Sequence, residues 1–215
     1  MARDERSGRS EARVDRRVRR SRRTIMEAFD RLIMTRPLEE ITVSAVAREA
    51  DVDRKTFYQH FGTIDGLLDA IAERVVTELL DEVELTMAAD GAPGESFRPL
   101  RAFFVILTEH LNENLLLRKR YCEHVPPELL FDRLSRPLAA QVVDRGFVRG
   151  DLPDEDLEML LAFGLGGLFS LYRWWLLSDR RVPVEEVTGC ARRLVEDGVS
   201  PLLRDADGAG RARAR

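Results

Sequence analysis

Ile41–Leu68 reads ITVSAVAREADVDRKTFYQHFGTIDGLL, the pattern of two short helices joined by a tight turn. Thr42 is an N-cap for a first helix whose apolar positions, Val43, Val46, Ala47 and Ala50, mostly share one face. Asp51-Val52-Asp53 makes the turn, and Asp53 caps a second helix, Arg54 to His60, that ends before Phe61-Gly62. Phe57 and Phe61, four apart, can both point inward. That leaves Arg54, Lys55, Thr56, Tyr58, Gln59 and His60 as a set of hydrogen-bond donors on the second helix. Short amphipathic helix pairs are common, so an ordinary helical hairpin is one reading. The other is a helix-turn-helix, in which one helix braces on the DNA backbone and the next lies in the major groove.

The same stretch resembles the N-terminal DNA-binding domain of the TetR family of bacterial regulators. The residues that carry the resemblance are Thr42, Val46-Ala47, Ala50-Asp51-Val52-Asp53, Thr56-Phe57-Tyr58-Gln59-His60-Phe61 and Leu67-Leu68, within about Arg22 to Ile71. The rest of the chain is similar to the family only in character. Three positions depart from the family pattern. Asp51 stands where glycine is usual, at a helix end that tends toward positive φ, a region Asp tolerates better than most residues. Asp53 replaces the usual Ser and caps as well, but adds negative charge beside the phosphates. Ile64 stands where a Lys often begins the next helix, which shifts phosphate binding toward the N-terminal arm.

The resemblance implies an all-α fold of about nine helices: a three-helix helix-turn-helix DNA-binding domain, then a helical ligand-binding and dimerisation domain. Its expected partners are a palindromic double-stranded DNA operator, a second copy of the chain and a small effector. By the same resemblance Thr42, Tyr58 and His60 position the DNA backbone, while Arg54, Lys55, Thr56 and Gln59 read bases. Arg19, Arg20 and Arg22 belong to an arm able to follow phosphates or enter the minor groove. A ligand-responsive repressor is the expected role. The alternative is a regulator fold that has lost DNA binding and works by protein contact, favoured by Asp51, Asp53 and Ile64.

Charge supports the first reading. The net charge of -4 conceals an asymmetry: residues 1–62 hold 15 basic and 11 acidic side chains, and residues 63–215 hold 19 and 27. A basic end on an acidic body suits a protein that offers one end to a polyanion. Cys122 and Cys190 are two and widely separated, as suits a reducing cytoplasm. The charged N-terminus lacks an apolar core segment, so no signal peptide is expected. Leu157–Leu177 is the most apolar run, but Arg173 and three glycines interrupt it. It reads as a buried helix, with no membrane span expected.

Along the chain, 1–12 reads as a disordered leader, 13–67 as the DNA-binding domain, 68–204 as the effector and dimerisation domain, and 205–215 as a disordered tail. Ile25, Met26, Phe29, Leu32 and Ile33 form the apolar stripe of a first helix ended by Pro37. Thr63 caps a long helix from the first domain into the second. Asp90-Gly91-Ala92-Pro93-Gly94 breaks the chain, and Ser96 caps the helix that follows. A short helical piece, a helix opened by Pro126-Pro127, a loop from Gly146 to Pro153, and a final helix pair at about 154–178 and 183–203 complete the pattern.

Two sites are expected in the second domain. Phe103, Phe104, Leu107, His110, Leu111, Tyr121, Phe131 and Trp174 are candidates to line a cavity for a largely apolar ligand, with Glu109, His110 and Arg118 as possible orienting groups. For any single one of them plain core is the stronger reading; the cavity reading rests on the group. The penultimate helix is apolar nearly all round, so it needs cover on two sides. Phe163, Gly164, Gly167, Leu168, Leu171, Val187, Ala191 and Leu194 are the candidates for a dimer interface, and a two-fold dimer reads two half-sites. Enzymatic chemistry is not expected: there is no phosphate-cradling glycine loop and no nucleophile elbow. Cys122, His124 and His110 match no tight metal spacing, so neither metal nor cofactor is expected.

Overall fold

The computed structural model describes residues 4–90, 98–148, 153–178 and 182–196. Among the described residues the fold is all helical. The helices are α1 (Asp4–Ile33), α2 (Val43–Glu49), α3 (Arg54–Phe61), α4 (Ile64–Asp90), α5 (Arg98–Glu113), α6 (Leu115–His124), α7 (Pro127–Asp144) and α8 (Asp154–Leu177), with a 3-10 turn at Leu38–Glu40. A ninth, α9, covers 184–196. The break at 91–94, the Ser96 cap, part of the loop before α8 and the tail at 205–215 lie outside the described residues. The chain divides into two compact units, 1–71 with 123–125, and 72–122 with 126–215. That division falls inside α4, a few residues beyond the expected boundary at 67/68.

In the first unit, α1 begins at Asp4, within the stretch expected to be a leader. Its Arg, Glu and Ala residues are good helix formers, and that propensity outweighs the scattered Ser and Gly. Ile25, Ala28, Phe29, Leu32 and Ile33 form its buried stripe, and Ile41, Val46, Ala47, Phe57, Phe61, Leu67 and Leu68 are buried in the same unit. The starts of α2, α3 and α4 are each held by a side chain. Thr42 Oγ1 accepts from Ala45 N (3.2 Å), Asp53 Oδ1 from Thr56 N (2.7 Å) and Thr63 Oγ1 from Gly66 N (3.0 Å). Asp51 sits at φ 53° and is the one non-glycine positive φ among the described residues. Gly62 closes α3 at φ 70°, with its N–H on Tyr58 O at 3.1 Å. Arg31 Nε donates to Glu49 Oε1 (2.6 Å) and ties α1 to the end of α2. His124 Nδ1 lies 2.6 Å from Ile33 O, at the end of α1.

The second unit has its own core. Phe104, Leu111, Cys122, Tyr172, Trp175, Leu176, Val184, Val187 and Ala191 pack as one cluster. Inside it, Tyr172 OH and Thr108 Oγ1 both meet Thr188 Oγ1, at 3.2 and 2.9 Å, so the buried hydroxyls satisfy one another. Trp175 Nε1 donates to Val182 O at 2.8 Å and fixes the approach to α9. On another side, Arg145 bridges to Asp81 (2.7 Å) and Glu84 (3.4 Å), and Gln141 bonds Glu73 and Thr77, joining α7 to α4.

The expectation of a buried penultimate helix needs correction. One face of α8 enters the core through Tyr172, Trp175 and Leu176, but Met159 is 63% and Phe163 76% exposed. The stretch Glu155–Leu177 is long and apolar enough to cross a membrane by length and composition alone, yet only 17% of its most apolar window is buried. Periodicity showed an apolar helix without showing which face the chain itself covers.

Candidate nucleic-acid interface and interior cavity

Two caps and a left-handed Asp51 set the direction of α3, and Phe57, fully buried, anchors it with Phe61 (ring centroids 5.8 Å apart). Its other face is open. Arg54, Lys55 and Gln59 are exposed, Tyr58 is 54% exposed, and Thr56 and His60 are half-buried. Thr42 is exposed at the start of α2. Its oxygen accepts the capping bond, which leaves the hydroxyl proton able to donate to a phosphate. Arg54 Nη1 reaches Ser44 Oγ at 3.5 Å, which adds exposed Ser44 to this surface. A Ser two residues past a cap gives no distinctive sequence signal.

Arg19 and Arg20 are exposed on α1. Arg22 is placed differently from the expectation: its Nη1 donates to His60 O (3.1 Å), and its guanidinium lies 4.8 Å from the Phe61 ring centroid. It braces α3 against α1, a cation over an aromatic face with a carbonyl at its edge. The same contact acts on His60, whose imidazole is held below its ordinary pKa by burial and then by the Arg22 charge. Asp53 is pushed below the ordinary carboxylate value chiefly by the Thr56 backbone hydrogen bond, so the cap stays ionised.

The second unit contains a partly open cavity of about 210 Å³. Five of the expected residues line it: Phe103, Leu107, Leu111, Tyr121 and Phe131. Three do not. Phe104 is core, His110 pairs with Glu82 at 3.1 Å, and Trp174 lines a neighbouring hollow. Arg118 and Arg173 also line the cavity. Arg118 was singled out in the sequence, whereas Arg173 read only as an interruption of an apolar run. Leu168 lines this cavity too, on the inner side of α8.

Among the other residues expected at a dimer interface, Val187 and Ala191 lie in the core and Leu171 packs against it, so they are turned inward. Phe163, Gly167 and Leu194 are exposed, and Gly164 is half-buried. A Cβ on Gly164 or Gly167 would meet nothing within 4 Å, so packing inside the chain does not require either glycine. The open stripe runs Met159, Phe163, Gly167, Ser170, Trp174, spaced three or four apart along one side of α8. Cys122 is buried and Cys190 exposed, both free.

A capped helix pair with an open, donor-rich second helix, joined to a helical body, defines a helix-turn-helix protein. Residues 25–71 match the family described as "Bacterial regulatory proteins, tetR family". The HTH-type transcriptional regulator AlkX of Mycobacterium tuberculosis is 36% identical over 85 residues, which cover 39% of this chain and 40% of that protein. The match therefore spans less than half the length of that relative. Among solved structures, the TetR-family repressor FadR of Thermus thermophilus, solved in complex with lauroyl-CoA, is 21% identical with a TM-score of 0.56, covering 82% of this chain and 94% of that one. A TetR regulator from Streptococcus agalactiae is 22% identical with a TM-score of 0.58, over 86% and 98%. At these identities the solved structures establish likeness of fold alone.

Proposed function

We infer that the chain is a transcriptional regulator that binds a palindromic operator as a homodimer and is released from it by a small ligand, acting as a repressor in the cytoplasm. The observation that carries this reading is the face of α3. Arg54, Lys55, Tyr58 and Gln59 stand open on a helix whose start, end and rotation are fixed by Asp53, Gly62, Phe57 and Arg22. A presented row of donors on a rigid helix is what reading a major groove requires. Asp51 and Asp53, which favoured loss of DNA binding in the sequence, serve as the turn and the cap, so they leave the donor row in place.

A single reading helix discriminates little, and the open stripe on α8 gives a second copy somewhere to pack. The cavity supports a small, largely apolar effector, and the lauroyl-CoA held by the similarly folded FadR points the same way. Coupling would require that ligand and DNA prefer different states of the dimer.

The test is selection of bound duplexes from a random pool by the purified protein at two salt concentrations. A palindromic motif whose enrichment falls steeply with salt is the expected result. Absence of enrichment by folded protein would favour the protein-contact alternative. Tyr58→Ala with His60→Ala is expected to weaken binding to all sequences alike while the dimer persists; a monomeric double mutant would contradict the assignment.

A further inference from the structure

The cavity in the second unit is lined mostly by apolar side chains, with the hydroxyls of Tyr121, Ser135 and Tyr172, the thiol of Cys122 and two charged groups among them. Of the residues that line it, none is Asp or Glu, while two are arginines, Arg118 from α6 and Arg173 from α8. Isolated cations beside an apolar chamber are costly unless an anion or a set of acceptors completes them. Arg118 is partly served, since its Nε donates to His110 O at 2.9 Å. Arg173 Nε is buried and has no hydrogen-bond partner among the described residues. Burial lowers the Arg118 pKa, an effect that Glu113 partly offsets.

The setting of Arg173 narrows the occupant. With Phe169 it lines both the inner cavity and a neighbouring hollow of about 450 Å³ formed with Pro127, Ser170, Trp174 and Ser178. The cation therefore stands at the junction of the two spaces. The inner volume of about 210 Å³ is below the roughly 300–1,000 Å³ of sites for drug-sized molecules, which favours one slender chain over a ring system. Both arginines line the apolar chamber itself, so a negative charge carried directly on the chain's end would lie beside them.

We propose that this cavity binds a medium-length hydrocarbon chain ending in a carboxylate, the anion held by Arg173 and Arg118 and the chain lying among Phe103, Leu107 and Phe131. A planar carboxylate matches the guanidinium fork and would give the Arg173 Nε its missing acceptor. The proposal rests on the effector reading above and specifies the chemistry of its ligand.

The test titrates the purified full chain, without DNA, with decanoate, decanol, decylamine and decanoyl-coenzyme A, followed by calorimetry and by the fluorescence of Trp174 and Trp175. Decanoate is expected to bind, decanol at least about tenfold more weakly, as loss of one charge-assisted hydrogen bond implies, and decylamine more weakly still. Arg173→Gln is expected to erase the difference between decanoate and decanol, and Arg173→Lys to restore part of it. Equal affinity for decanoate and decanol in the unaltered protein would overturn the proposal, as would binding of none of the four. Tighter binding of decanoyl-coenzyme A than of decanoate would overturn the carboxylate head. Should Arg173→Gln fail to fold, the series on the unaltered protein still decides. No DNA is present, so failure here and failure of operator selection are separate results.

Discussion

Gly66 shows how little room the turn after α3 allows. A Cβ built there would run into the carbonyl oxygen of Phe61, a backbone atom that cannot swing aside. Gly66→Ala is therefore expected to cost about 1–3 kcal/mol, the range for forced overpacking, measured by denaturant unfolding. His60 makes a second prediction, in pH. Its folded pKa is depressed, so between that value and the unfolded one, about 6.5, the unfolded chain binds more protons and stability rises with pH. The contribution is complete above about pH 6.5 and is lost as pH falls through the folded value. Unfolding curves across this window should show the loss, and His60→Gln should flatten it. A window unchanged in that variant would mean the imidazole is not its source. Much of this site was legible in single residues because caps and turns are local. Thr42, Asp53 and the positive φ at Asp51 follow from residue type and spacing. The bracing contact of Arg22 was not legible, because an arginine in a basic arm looks free until the fold brings Phe61 and His60 O beside it.

At the level of helices, α2 and α3 follow from the sequence almost residue for residue, because each is short, capped and amphipathic. The helix α1 extends further back than expected, since a charged stretch can be helical without an apolar stripe to announce it. The pair α8 and α9 was recognised but turned the wrong way in part. Both carry apolar residues on several faces, and periodicity cannot say that Val187 and Ala191 face their own core while Phe163 faces out. Arg173 was hidden for a related reason, its place beside the cavity existing only once α6 and α8 come together. The open stripe on α8 carries a prediction: Phe163→Glu places a charge in the middle of the proposed contact and should convert dimer to monomer in sedimentation equilibrium. The chain's own core does not include Phe163, so the monomer should stay helical. A variant that remains dimeric would remove α8 from the interface.

For the whole molecule, the division of charge and the division into two units tell the same story. The basic arm and the donors of α3 belong to the first unit, while the cavity and the open stripe of α8 belong to the second. Covalently, α4 runs through the boundary between them without a break. Arg22, held by His60 O and Phe61, is less able to contribute to counterion release, so the salt dependence of DNA binding should count fewer phosphates than the arginines of the arm. The bare stripe on α8 also bears on dosage. If two chains must meet before either half-site is read, the paired form grows with the square of chain supply while single chains predominate. Small changes in synthesis or turnover would then move the switch more sharply than one chain acting alone could.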